Sequence, residues 1–208
     1  MPLLKGAVTY SRFRAEHHKE PTKDPRRSLA NALRKGAFEP LDQSGEQDRS
    51  AGWVELEDHQ ATDLAPSRFL YGSYLLATWR VDSVRVPAAL VRSEIDAWSR
   101  AFEEKIGHPP KRADKSAQKE IILKKLRRRA FVSTQTFDVS WNLDTNAVQL
   151  WASSKKIVEE IQVAIEEAFD VTLHSTSPGA RVDASDVDVD KIRATPELFG
   201  DDVALQVR

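Results

Sequence analysis

Apolar residues after Pro87 recur every three or four positions, which is the spacing of one helical face. The members of this stripe are Val91, Ile95, Trp98, Phe102 and Ile106. Gly107 and two following prolines provide an end signal. The pattern predicts an amphipathic helix that begins at Pro87, and the register of Trp98 places its ring in the core.

Two other stretches alternate apolar and polar residues, as half-buried strands do. Within 69–86 the apolar series is Leu75, Ala77, Trp79 and Val81, and within 131–143 it is Phe137, Val139, Trp141 and Leu143. Asp82 and Ser83 have turn-forming side chains, so a turn is expected there. A second turn at 144–146 should lead into a return strand with Val148, Leu150 and Ala152.

Weaker sequence signals predict the remaining strands and helices. A strand is expected over 6–13, followed by a polar connection that contains His17 and His18. Asp24 before Pro25 marks a helix start, and 52–56 is expected to be extended. Further helices are predicted over 115–129 and after Ser153–Ser154, and a last strand over 171–174. This mixed order favours an α+β fold with packed helices and largely antiparallel sheets.

Domain organisation follows from a change of composition near residue 177. We expect one α+β region over 1–177, or two subdomains within it, with 87–130 as a helical projection. Residues 178–208 are rich in Pro, Gly, Ala and Asp, and we expect this acidic segment to be partly ordered. No apolar run is long enough for a membrane-spanning helix.

The formal net charge of −1 hides two opposed segments. Nine Lys and Arg against two Asp and Glu give +7 over 111–129. Seven acids against three bases give −4 over 182–208. A near-neutral total is therefore no argument against binding to nucleic acid.

The positive segment is a candidate DNA-binding surface, because cations placed at phosphates release condensed counterions. Its candidates are Lys111, Arg112, Lys115, Lys119, Lys124, Lys125, Arg127, Arg128 and Arg129. The alternative is an ordinary solvated helix whose cations complement the C-terminal end of the helix dipole.

Several other chemistries have little support. The chain has no cysteine, which excludes thiol catalysis and disulfides, and its eight glycines form no phosphate-binding loop. Asp186, Asp188, Asp190 and Glu197 match a calcium-loop spacing, but Lys191 replaces the required glycine. The five histidines lack the spacing of a helical metal site. No metal and no cofactor is expected. Trp151 lies out of phase with its strand, so it is either exposed or in contact with another element or subunit.

The chain resembles the RdgC family of recombination-associated DNA-binding proteins. The ordered pieces that carry the resemblance are Gly52-Trp53-Val54, Lys115–Glu120, Leu126–Phe131, Trp141–Asn146 and Ala152–Lys156. The resemblance covers most of residues 1–177. It implies a non-enzymatic homodimer that closes into a ring around duplex DNA, with little sequence preference, and that restrains the recombinase.

The resemblance also marks an Arg-x-aromatic pair after the basic helix, here Arg129 and Phe131. In the family this pair is tied to DNA binding and ring contacts; otherwise Phe131 is the first inward residue of a strand. Members of the family are longer at the C-terminus, so an open clamp is as compatible with this chain as a closed ring.

We therefore expect a sequence-independent DNA-binding protein that is cytoplasmic and nucleoid-associated. Its partners are duplex DNA, with single-stranded DNA as an alternative, and a second copy of itself. Two other hypotheses stay open: a protein-interaction module whose basic helix meets an acidic partner, and a Mg²⁺-dependent nuclease.

Overall fold

The computed structural model describes residues 9–19, 24–42 and 47–176, which contain seven strands and five helices. In chain order these are β1 (Ser11–His17), α1 (Pro25–Lys35), β2 (Arg49–Val54), α2 (Pro66–Phe69), β3 (Leu70–Tyr71), β4 (Tyr74–Val84), α3 (Ala88–Ile106), α4 (Arg112–Arg127), β5 (Val132–Asn142), β6 (Ala147–Leu150), α5 (Lys155–Phe169) and β7 (Val171–Ser175). The predicted α+β class and element order are confirmed. The short α2 was not predicted, and the β region expected over 69–86 is divided into β3 and β4.

The strands form one curled antiparallel sheet in the order β2–β4–β5–β6–β1–β7, with β3 paired to β4. The longest pairing joins β4 and β5, from Tyr74 opposite Asn142 to Val84 opposite Val132. The expected turn at Asp82–Ser83 is wrong, because both residues lie inside β4 and pair with β2 on one side and β5 on the other.

The main core lies between one face of the sheet and helices α1 and α5. Leu33 of α1 and Ile161 and Ile165 of α5 are fully buried there against Trp53 and Trp141. The two strand series anticipated this face, and Trp79 is also buried in it. Each Å² of apolar surface removed from water stabilises the fold by about 25 cal/mol. This buried cluster is therefore the chief source of stability.

The opposite face of β4 and β5 is also buried in part, but it is polar. Arg80 makes two hydrogen bonds to the Asp82 carboxylate, at 2.9 and 2.7 Å. Thr78 donates a hydrogen bond of 2.8 Å to Asp138. The Arg80 guanidinium also lies 4.3 Å from the centre of the Phe38 ring. The backbone of residues 82–83 is thus held in the strand by β2 and β5, and the Asp82 carboxylate is satisfied by Arg80 of the same strand.

The observed β1 is shifted from its predicted position. It covers Ser11–His17, so His17 ends the strand and does not lie in the polar connection. The extension has a long-range cause, since Ala15 pairs with Leu173 and His17 with Val171. The ring of His17 stacks on Trp141 with centroids 5.8 Å apart.

The local helix signals are confirmed. The Asp24 carboxylate accepts a hydrogen bond from the backbone N–H of Arg27 at the start of α1. Gly107 adopts a left-handed conformation with φ of 82° at the end of α3. Helix α5 begins directly after Ser154, as expected, although no side chain caps it.

Gly52 is required by a close backbone approach. The backbone of residues 37–38 crosses β2, and Phe38 N–H donates to the Trp53 carbonyl at 2.9 Å. A Cβ atom on Gly52 would lie 2.5 Å from the Cα of Phe38. In the Gly-Trp-Val sequence, Gly52 thus leaves room for the crossing backbone, and Trp53 fills the core.

Helices α3 and α4 pack mainly on each other. Each has one buried side chain, Val91 in α3 and Ile122 in α4, and neither joins the main core cluster. Trp98 is only half-buried and packs on Phe102 with centroids 5.2 Å apart, so its assignment to the core is wrong. No helix in the described residues is long and apolar enough to cross a membrane.

Candidate nucleic-acid interface

Helix α4 carries the predicted basic residues, and its two ends differ. At its start, the Asp114 carboxylate accepts a hydrogen bond from the backbone N–H of Lys111 at 3.1 Å. This places a negative charge where the helix dipole is positive. Lys124, Lys125 and Arg127 lie in the last turn, where positive charge is favourable.

The cations of the first half of α4 are all exposed: Lys111, Arg112, Lys115 and Lys119. The spacing of four residues from Lys111 through Lys115 to Lys119 gives them one helical face. Each of them is available to a phosphate.

The second half of α4 forms a surface depression of about 420 Å³, which we call the basic depression. It is lined by Ile121, Lys124, Lys125, Arg128 and Arg129. No carboxylate belongs to this lining, and Ile121 is 61% exposed within it. Four cations around one hollow, without a neutralising acid, form a site suited to phosphate oxygens.

Arg127 is set apart from its neighbours by its contacts. Its guanidinium forms an ion pair with Asp48, in which Nε donates to Oδ1 at 2.8 Å. The Arg127 side chain is mostly buried, with 18% of its surface exposed. Arg127 therefore anchors α4 to the start of β2, whereas Arg128 and Arg129 remain exposed.

Phe131 lies on the short turn between α4 and β5 and is 95% exposed. The strand begins one residue later, at Val132, which pairs with Val84. The interpretation of Phe131 as an inward strand residue is therefore wrong. The Phe131 ring is therefore accessible at the surface, two residues from Arg129.

Trp151 is half-buried and engaged within the chain. Its ring lies 5.0 Å from that of Tyr10, and its Nε1–H donates to Ser140 Oγ at 3.3 Å. Of the two options left by the sequence, contact with other elements is the correct one.

The described residues bring together no group of three or more His, Cys, Asp or Glu side chains that could hold a metal ion. The calcium-like spacing from Asp186 to Glu197 falls outside the described residues.

One contact at the interface gave no usable sequence signal, whereas the place of Ile121 is local. Ile121 lies three, four and seven positions before Lys124, Lys125 and Arg128, so helical spacing alone puts these four residues on one face. The pairing of Arg127 with Asp48 joins residues 79 positions apart. No local pattern encodes a contact of that kind.

Residues 9–182 match the model of a protein family described as "Putative exonuclease, RdgC". The chain belongs to the RdgC family. The resemblance inferred from Gly52-Trp53-Val54 and the segments after it is thereby confirmed. A search of curated proteins finds no match.

Membership of the RdgC family implies a recombination-associated role with DNA as a partner. The family description names an exonuclease, so the expectation of a protein without enzymatic activity stays a prediction.

Proposed function

We propose that this RdgC-family protein binds DNA without sequence preference through the basic depression and restrains homologous recombination. The observation that carries the proposal is the hollow itself, in which four cations surround Ile121 without a carboxylate in the lining. The exposed cations from Lys111 to Lys119 extend the positive surface along α4.

Electrostatics supports an interaction that does not depend on base sequence. Each phosphate neutralised by Lys or Arg releases condensed counterions, and the resulting gain in free energy depends on salt and not on the bases. The long, exposed side chains of Lys124, Lys125, Arg128 and Arg129 suit contacts with a flexible backbone.

Phe131 adds an apolar component to this surface. Its exposed ring lies on the turn that follows α4, where it can stack on an unpaired base or contact a second copy of the chain. We include a homodimer in the proposal, as family resemblance suggests, and the molecular mass with and without DNA tests it.

The decisive experiment compares two triple variants in a DNA shift assay at several salt concentrations. The first, Lys124→Gln with Arg128→Gln and Arg129→Gln, removes charge from the basic depression. The control, Arg92→Gln with Arg100→Gln and Lys105→Gln, removes the same charge from exposed positions of α3. We expect the first variant to lose affinity and about one unit of salt slope per lost phosphate contact, and the control to bind nearly as wild type.

Other outcomes point to the remaining hypotheses. Failure of the wild-type protein to bind DNA at about 50 mM salt, where nonspecific electrostatic binding is strong, would refute the proposal. Co-purification of an acidic protein in that case supports an interaction module. Cleavage of DNA in the presence of Mg²⁺ supports the nuclease that the family description names. Restraint of recombination is tested by adding the protein to a recombinase-driven strand exchange reaction.

A further inference from the structure

A second concave surface shares no lining residue with the basic depression. It is a depression of about 520 Å³ between β1, β6 and the turn that joins β5 to β6. Arg12 and Arg14 of β1 both contribute to it. These two residues are two positions apart, so they share one face of the strand at a separation of about 7 Å, while Phe13 between them is buried in the core.

Neither arginine has an acidic partner among the described residues. Glu16 is the next residue on the same face of β1, but its carboxylate is bound by His174 Nε2 at 2.8 Å. The only carboxylate in the lining is that of Asp144. The two guanidinium groups therefore exceed the negative charge that the cleft provides.

The side-chain amide of Gln149 is oriented by a hydrogen bond to its oxygen, which leaves its N–H groups as donors. Trp151 Nε1–H donates to Ser140 Oγ at 3.3 Å, and the Ser140 hydroxyl donates to Gln149 Oε1 at 3.1 Å. Because this chain occupies the amide oxygen, the Nε2 group of Gln149 remains as a donor. Gln149 pairs directly with Arg12 across β6 and β1, so this donor belongs to the same part of the cleft.

Asn146 is oriented in a similar way. His17 Nε2 lies 3.2 Å from Asn146 Oδ1, and since a carbonyl oxygen only accepts, the ring nitrogen is the donor. His17 shares the strand face of Phe13 and Ala15, so this bond holds the Asn146 amide on the side of β1 opposite to Arg12 and Arg14. The residue itself is fixed by the turn, where it adopts a left-handed conformation with φ of 58°.

We propose that this cleft, lined by Arg12, Arg14, Asn146 and Gln149, is a second anion site that binds a phosphate group. Two guanidinium forks and the amide donor of Gln149, whose oxygen is occupied internally, match the acceptor oxygens of phosphate and offer little to a cation. The phosphate belongs either to a nucleic-acid backbone or to a small phosphorylated molecule. The site is separate from the basic depression and does not depend on its function.

The test uses the full chain labelled with ¹⁵N and two probes, inorganic phosphate and a short DNA duplex. We expect both probes to shift the amide signals of Arg14, Asn146 and Gln149 in a saturable way. Arg12→Gln combined with Arg14→Gln should abolish these shifts, and Gln149→Glu, which replaces a donor with a carboxylate, should weaken them. Arg26→Gln, an exposed arginine of α1, is the control and should change nothing.

The arms of the experiment separate the sources of the phosphate. If the double variant also lowers duplex affinity and the salt slope by about two units, the ligand is the nucleic-acid backbone. If it abolishes only the response to inorganic phosphate, the ligand is a small phosphorylated molecule. Absence of saturable shifts with both probes would overturn the site. The triple variant of the basic depression should retain the phosphate response, so failure of one site is distinguishable from failure of the other.

Discussion

Arg127 Nε donates a hydrogen bond to Asp48 Oδ1 at 2.8 Å, and this pair joins the last turn of α4 to the residue before β2. The Asp48 carbonyl also accepts the backbone N–H of Val84 at 2.8 Å. One residue thus connects the end of α4 with the end of β4. The basic end of α4 is held against the sheet by the one cation of its last turn that is mostly buried.

We expect Arg127→Ala to lower the free energy of unfolding by about 1 kcal/mol, since Asp48 is largely exposed and solvent weakens the pair. Arg128→Ala should leave it nearly unchanged, because that side chain is exposed. Urea unfolding of both variants measures the difference. Equal stability of the two would contradict an anchoring role for Arg127. A joint replacement of Arg127, Arg128 and Arg129 would confuse folding with binding, and for this reason our test of DNA binding leaves Arg127 intact.

Phe131→Ala should not destabilise the protein, because the ring is 95% exposed and packs on no core residue. If the ring stacks on a base, affinity for single-stranded DNA falls by about 1–3 kcal/mol. If it contacts a second copy, the variant dimer dissociates at a higher protein concentration than the wild-type dimer in sedimentation experiments. Phe131→Tyr is the matched control and should preserve either function. Unchanged DNA affinity together with unchanged oligomeric mass would show that Phe131 has neither role.

Gly52→Ala should be strongly destabilising. The added Cβ would lie 2.5 Å from Phe38 Cα, and backbone atoms cannot move aside as a flexible side chain can. We expect a loss of about 1–3 kcal/mol, the usual range for overpacking. Gly107→Ala provides the contrast, because its Cβ meets open space and only its positive φ opposes the change. A thermal melt in which Gly52→Ala matches wild type would refute the crossing as the reason for this glycine.

Arg80→Met should cost about 3–5 kcal/mol, because it leaves the Asp82 carboxylate buried without its partner. Replacing Asp82 with Leu in the same chain should recover part of that loss, since no uncompensated charge then remains. Denaturant unfolding of the single and double variants tests this coupling. If the double variant lost the sum of the two single losses, the two groups would be acting independently.

Asp170 provides a titration prediction. The hydrogen bond from Lys19 holds the pKa of the Asp170 carboxyl below its ordinary value of 3.8. A lowered folded-state pKa stabilises the protein above the unfolded pKa, and this contribution is lost as the pH falls through the folded value. Lys19→Gln should raise the Asp170 pKa toward 3.8, as measured by carboxyl ¹³C shifts. Lys155→Gln, a distant exposed lysine, should leave that titration in place.

Much of the fold could be predicted because its signals are local. The α3 stripe, the Asp24 cap and the left-handed Gly107 each depend on residues within about one helical turn. Alternation in β4 and β5 identified the core face by the same logic. The separation of positive and negative charge along the chain also needs no structure, and it pointed to α4 as the candidate surface.

The tertiary structure decided whatever depends on a distant partner. Asp82 favours turns by itself, yet it lies in a strand because β2 and β5 pair with it on either side. Trp98 has the periodicity of a core residue, but α3 packs on α4 outside the main core.

The same distinction governs the functional surfaces. Composition alone treats Arg127 and Arg128 alike, and only the fold brings Asp48 to one of them and leaves the other in the basic depression. The charge of α4 is therefore a property of the sequence, because it is a sum over neighbouring residues. Which cations are free to bind is a property of the fold, because ion pairs and burial join residues that the chain keeps far apart.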